Sequence, residues 1–87
     1  MADKHKILIV EDEAVVARDI EQTLTRLGFD VVGTAQFANE AVAKVAEHKP
    51  DLVLMDISLQ GKRDGVEAAQ IIDARTQTPI VFLTAHT

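Results

Sequence analysis

The amino-acid sequence predicts an α/β fold, in which one parallel sheet carries helices on its faces. Four short apolar runs rich in β-branched residues occur along the chain, and amphipathic helical patterns lie between them. Continuous runs of four or five apolar residues are typical of parallel strands that are buried on both faces. Strands that alternate with helices imply right-handed crossover connections. We therefore expect the element order β-α-β-α-β-α-β.

The boundaries of these elements follow from local patterns. The predicted strands cover residues 7–10, 31–35, 52–55 and 80–83, and the predicted helices cover residues 13–27, 40–47 and 64–75. Gly28 fits the position directly after the end of the first helix. Asn39 is a plausible N-cap for the second helix. Asp64 and Glu67 have the spacing of a capping box at the start of the third helix.

Length and composition exclude several classes of protein. The chain has 87 residues, no cysteine and a formal net charge of −5. It has room for one domain, and it contains no apolar run near the roughly 18 residues that a membrane span requires. A secretory signal, a disulfide framework and a nucleic-acid surface are disfavoured. We expect a soluble, cytoplasmic domain.

Acidic and hydroxyl side chains follow the predicted strands at their carboxyl ends. Glu11 and Asp12 follow the first strand, Asp56 the third and Thr84 the fourth. Open α/β sheets bind ligands at this edge, so these residues are expected to converge. Close carboxylates repel each other, and Mg²⁺ prefers oxygen ligands of this kind. The backbone carbonyl of Ser58 offers a further oxygen.

This arrangement favours phosphoryl chemistry over simpler explanations. An aspartate beside Mg²⁺ is able to attack a phosphoryl group, and the Thr84 hydroxyl is placed to donate a hydrogen bond to it. Taken alone, the run Glu11–Glu13 fits an acidic helix start, Asp56 fits a surface charge, and Thr84 fits an ordinary strand residue. Their shared position at one edge of one sheet favours a functional site.

The sequence resembles the receiver domains of two-component response regulators. Four stretches carry the resemblance and together span nearly the whole chain, namely residues 7–13, 51–57, 64–69 and 79–85. The resemblance implies a flavodoxin-like sheet with strand order 2-1-3-4-5. It also implies roles for single residues: Asp56 as phospho-acceptor, Asp12 as direct Mg²⁺ ligand, Glu11 and the Ser58 carbonyl as further contacts, and Thr84 as switch hydroxyl. The phosphoryl donor would be a phosphohistidine of a sensor kinase, and the domain would be a signalling module rather than an enzyme.

Residues 1–87 are expected to be a receiver domain without its last helix-strand-helix portion. In such domains that portion carries a lysine that pairs with the phosphoryl group. Without it the strand at residues 80–83 becomes an exposed apolar edge, which pairs readily with other chains. We therefore expect self-association through this strand. Two functions remain open, which are phosphoryl acceptance on Asp56 and a protein-interaction module without phosphotransfer.

Overall fold

The computed structural model describes residues 4–56, 70, 72 and 75–83. In this part of the chain the elements are β1 (Lys6–Val10), α1 (Ala14–Arg26), β2 (Asp30–Ala35), α2 (Ala38–His48), β3 (Leu52–Asp56) and β4 (Ile80–Leu83). Gln70, Ile72, Arg75 and Thr76 are helical, as expected for the third helix. The predicted start of that helix at Asp64 lies outside the described residues. No helix in the described part has the length and apolar character needed to cross a membrane.

The four strands form one parallel sheet in the order β2-β1-β3-β4. This order confirms the flavodoxin-like arrangement for the strands that the structure describes. β1 lies in the interior of the sheet, between β2 and β3, and residues 7–10 are buried. Burial on both faces explains why this segment is continuously apolar instead of alternating with polar residues.

Two apolar layers cover the two faces of the sheet. Alternate residues of a strand point to opposite faces. On one face Leu8 and Val10 pack with Val45 of α2 and with Ile72 of the third helix. On the other face Ile7 and Ile9 pack with one side of α1, including Ala17, Ile20 and Leu24. The sheet is therefore the central layer, and both helical layers hold it by hydrophobic burial.

Gly28 ends α1 in the way that the sequence predicts. Its φ of +98° lies in the left-handed region, which glycine adopts without a steric penalty. The Phe29 N–H donates to the Leu24 carbonyl at 3.0 Å, and the Gly28 N–H donates to the Thr25 carbonyl at 3.1 Å. This pair of bonds is a Schellman motif, which satisfies carbonyls at the helix end.

The predicted N-cap of α2 is wrong. The helix begins at Ala38 and its N-cap is Phe37, which makes no side-chain capping bond. The Asn39 side chain instead accepts a hydrogen bond from the Glu40 N–H at 2.9 Å inside the first turn. Glu40 reaches back and accepts a hydrogen bond from the Gln36 N–H at 2.8 Å. Asn39 is therefore the second residue of the helix, and the bond from Gln36 to Glu40 ties the first turn to the chain that precedes it.

β4 forms one edge of the sheet. Among the described residues it pairs with β3 alone. Val81 and Phe82 follow each other in the strand, so they point to opposite faces, and they are 45% and 42% exposed. The edge thus carries apolar side chains on both faces and has no charged residue of its own within 80–83.

Candidate metal centre

Three carboxylates from two neighbouring strand ends meet at the carboxyl edge of the sheet. Asp56 is the last residue of β3, and Glu11 and Asp12 directly follow β1. β1 and β3 are paired in parallel with Val10 opposite Met55, so Glu11 and Asp56 leave the sheet side by side. One carboxylate oxygen from each of Glu11, Asp12 and Asp56 lies within 4.8 Å of the others. The structure therefore brings together the three acids that were expected to converge.

Within this acid cluster, Glu11 is buried and is held by two hydrogen bonds. It is only 3% exposed, and Asp56 is 6% exposed, whereas Asp12 is partly exposed. The Glu11 N–H donates to the Ala35 carbonyl at the end of β2, at 2.8 Å. Its carboxylate Oε2 accepts a hydrogen bond from the Glu13 N–H at 3.0 Å. Both the backbone and the side chain of Glu11 are thereby fixed at the strand end.

Burial and neighbouring acids shift the protonation of Glu11. Loss of solvent contact is the largest cause, and hydrogen bonds with Asp56 and Asp12 add to it. The Glu13 N–H acts in the opposite direction, but the net effect raises the pKa of Glu11 to about 8 from an ordinary value of 4.5. Without a cation, burial and the neighbouring carboxylates therefore favour the protonated form of Glu11 at neutral pH.

The donor set suits Mg²⁺. This ion takes oxygen ligands at about 2.0–2.1 Å and is typically held by one or two carboxylates while it keeps several waters. Three carboxylate groups within reach of one point, two of them buried, supply the charge that such a cation neutralises. The backbone carbonyl of Ser58 and the hydroxyl of Thr84 lie outside the described residues, so their roles stay predictions.

A charged pair that the sequence patterns did not single out lies beside the acid cluster. A surface pocket of about 440 Å³ is lined by Glu11, Ala14, Arg18, Glu40 and Lys44, among others. Lys44 Nζ lies 3.4 Å from Glu40 Oε2, and Lys44 Nζ also donates to the Thr34 carbonyl at 2.5 Å. The spacing of four residues between Glu40 and Lys44 is a visible signal for a helical ion pair. Their proximity to Glu11 is visible only in the folded chain.

Most of the chain matches a known protein family. Residues 7–87 match the family described as the response regulator receiver domain. The chain is 44% identical over 80 residues to the transcriptional regulatory protein PdtaR of Mycobacterium tuberculosis, which covers 92% of this chain and 38% of that protein. The chain thus spans well under half the length of this curated relative.

Solved structures show the same fold at similar identity. The signal receiver domain of a modulated diguanylate cyclase from Desulfovibrio desulfuricans superposes with a TM-score of 0.87 at 38% identity, over 95% of this chain and 66% of that one. The anti-anti-sigma factor PhyR of Bartonella quintana, complexed with the anti-sigma factor NepR, gives a TM-score of 0.87 at 38% identity. That match covers 97% of this chain and 35% of the PhyR chain.

Proposed function

Since the chain belongs to the response regulator receiver family, we propose that it accepts a phosphoryl group on Asp56 from a phosphohistidine of a sensor kinase. Glu11 and Asp12 would hold Mg²⁺ next to the acceptor. The observation that carries this proposal is the convergence of the Glu11, Asp12 and Asp56 carboxylates at the carboxyl edge of the sheet. Membership of the receiver family also supports phosphoryl acceptance at this site.

The reaction requires one nucleophilic oxygen and one leaving group. A carboxylate oxygen of Asp56 attacks phosphorus and forms a P–O bond, while the P–N bond to the donor histidine breaks. The electron pair of that bond stays on the imidazole nitrogen, which takes a proton from solvent. Asp56 is the last residue of β3, and its place in the sheet would orient the carboxylate for such an attack.

When bound, Mg²⁺ would neutralise the negative charge on the phosphoryl oxygens during transfer. The carboxylates of Glu11 and Asp12 would bind that ion. Glu11 is held by Ala35 through its backbone and by the Glu13 N–H through its side chain, so its carboxylate is preoriented. Asp12 is the most accessible of the three acids and would be the direct ligand.

Phosphorylation would change the charge of this edge of the sheet. A phosphoryl group adds about −1.5 to −2 charges at neutral pH. A hydroxyl such as that of Thr84, which follows β4, would bind the new oxygens and favour a second conformation of the adjoining loop. The output that this change controls belongs to the longer proteins in which such domains occur.

The acceptor is tested by intact mass spectrometry. The chain is incubated with Mg²⁺ and a small phospho-donor such as acetyl phosphate, and we expect a mass increase of one phosphoryl group. Asp56→Asn is expected to abolish the increase. Asp19→Asn makes the same chemical change at an exposed position on α1 and is expected to leave it unaltered. An unchanged mass, both in this chain and in a longer chain that contains it, contradicts the assignment.

A second function is favoured by the β4 edge. Within the described part of the chain β4 pairs with β3 alone, and its apolar side chains Val81 and Phe82 are exposed. An unpaired strand edge is a template for pairing with another chain. We propose that the chain self-associates by pairing of β4 with β4 of a second copy. PhyR of Bartonella quintana, a relative in fold, forms a complex with another protein, NepR.

Size-exclusion chromatography with light scattering tests this association. We expect a dimer for the unaltered chain and a monomer for Val81→Lys, which places a charge on the edge. Val15→Lys makes a similar change at a 73% exposed position of α1 and is expected to remain a dimer. A folded monomer of the unaltered chain at high concentration refutes the association.

A further inference from the structure

The ion pair Glu40–Lys44 on α2 makes two contacts at the end of β2, one with Thr34 in the strand and one with Gln36 directly after it. Both residues lie on the same side of the helix because they are one turn apart. Lys44 Nζ donates to the Thr34 carbonyl at 2.5 Å, and Glu40 Oε1 accepts from the Gln36 N–H at 2.8 Å. The two side chains are 3.4 Å apart and only about a third exposed. Each thus holds the other in position for its backbone contact.

The residue between these two contacts, Ala35, is hydrogen-bonded to Glu11 of the acid cluster. Ala35 lies between Thr34 and Gln36, it is buried, and its carbonyl accepts the hydrogen bond from the Glu11 N–H at 2.8 Å. Three consecutive residues therefore each use a backbone group in a hydrogen bond. Thr34 and Gln36 bond to side chains of α2, and Ala35 bonds to Glu11 of the acid cluster. A displacement of residues 34–36 would move the partner of Glu11 directly.

From this geometry we infer that Glu40 and Lys44 are positioning residues for divalent-cation binding at the acid cluster. They act through residues 34–36 and need not touch the ion themselves. The inference rests on the proposed function, in that it takes the acid cluster to be the cation site. Residues that orient metal ligands from one step away typically change metal affinity by about 10–100-fold when they are replaced.

Charge alone makes a different prediction from positioning. Lys44→Met removes a positive charge near the site and would tighten cation binding by Coulomb interaction, whereas Glu40→Gln removes a negative charge and would weaken it. Positioning predicts that both substitutions weaken binding, because either one releases a contact to residues 34–36. The sign of the Lys44→Met effect separates the two explanations.

The experiment is a titration with Mg²⁺. Isothermal calorimetry measures the Kd, and the ¹⁵N–¹H spectrum monitors the amides of Glu11, Asp12 and Asp56. We expect an increase in Kd of about tenfold for both Glu40→Gln and Lys44→Met. Lys44→Arg retains a donor and a charge and is expected to restore much of the affinity. Glu47 lies on the same helix but pairs with His48, not with residues 34–36. The control Glu47→Gln is therefore expected to leave Kd within twofold.

Hydrogen exchange of the Glu11 amide gives an independent readout. We expect faster exchange in Glu40→Gln and Lys44→Met than in Glu47→Gln, at equal resistance to urea. If the unaltered chain binds no Mg²⁺, the proposed function fails, and faster exchange of the Glu11 amide still supports the positioning contact. An unchanged Kd and an unchanged Glu11 exchange rate in both variants overturn the inference, as does tighter Mg²⁺ binding by Lys44→Met.

Discussion

Replacement of Glu11 by glutamine is expected to remove a large pH dependence from the stability of the cation-free chain. Glu11 is almost completely buried, and its pKa in the folded chain is about 8. In the unfolded chain the same group has its ordinary value of 4.5. Between these two values the folded chain binds one proton more than the unfolded chain does.

The sign and size of the effect follow from this proton difference. Because the folded state holds the extra proton, the free energy of unfolding decreases as the pH rises from about 4.5 to about 8. The slope is about 1.4 kcal/mol per pH unit, so the whole window corresponds to on the order of 5 kcal/mol. A domain of this length has a total stability of roughly 4–13 kcal/mol. The contribution is therefore large enough to measure.

Glutamine keeps the contacts of the protonated carboxyl. Its amide oxygen is able to accept the bond from the Glu13 N–H, and its amide N–H is able to donate to Asp56 or Asp12. It has no proton to lose, so the stability of Glu11→Gln should not fall through this group as the pH rises. At pH 8 we expect the variant to be more stable than the unaltered chain in the absence of a divalent cation.

The assay is urea unfolding followed by circular dichroism at several pH values, with a chelator present. The chain contains neither tryptophan nor tyrosine, so intrinsic fluorescence offers little signal. Glu21→Gln, at an exposed position of α1, is the matched control and should retain the pH dependence of the unaltered chain. Parallel pH profiles for Glu11→Gln and the unaltered chain would refute the reasoning.

Further predictions concern the cation, the glycines and the core. If the acid cluster binds Mg²⁺ as proposed, Glu11 must release its proton, so the apparent affinity for Mg²⁺ should rise up to about tenfold per pH unit between pH 5 and 8. Calorimetry in buffers of different ionisation enthalpy should detect the released proton. Gly28→Ala places a Cβ in open space but at a φ of +98°, so we expect a loss of about 1 kcal/mol from backbone strain, measured by urea unfolding. Gly33→Ala, whose Cβ would make ordinary contact with Leu8 at 3.5 Å, should be neutral or slightly stabilising. Leu8→Ala removes a completely buried side chain from β1 and should cost about 2–5 kcal/mol, while Val15→Ala at an exposed position should change stability by less than about 0.5 kcal/mol.

Local patterns were sufficient to predict most of the described fold. The apolar run at residues 7–10 predicts a strand buried on both faces, and β1 is that strand. Gly28 marks the end of α1 because its left-handed conformation depends on the residue itself and its immediate neighbours. Asn39 was misassigned because α2 begins at Ala38, two residues before the apolar pattern indicates, so that Asn39 lies inside the first turn.

The sequence predicted which residues form the acid cluster, but not how strongly their protonation is shifted. A parallel sheet brings all strand ends to one edge, so Glu11, Asp12 and Asp56 were expected to converge from their positions in the sequence alone. Repulsion between close carboxylates predicts that their pKa values rise, but the size of the rise at Glu11 depends mainly on how completely the folded chain excludes water from that carboxyl, which the sequence does not show. The roles of Asp56 and its neighbours in phosphoryl transfer remain predictions that the mass experiment tests.

The sequence by itself determined the alternation of strands and helices and the chemical character of the site, because both depend on residue type and on short-range spacing. Only the tertiary structure decided how the site is supported. The contact from Lys44 to Thr34 and the bond from Glu11 to Ala35 join three separate elements, α2, β2 and the end of β1. Such contacts depend on packing angles and strand register, which act over distances that no local pattern records.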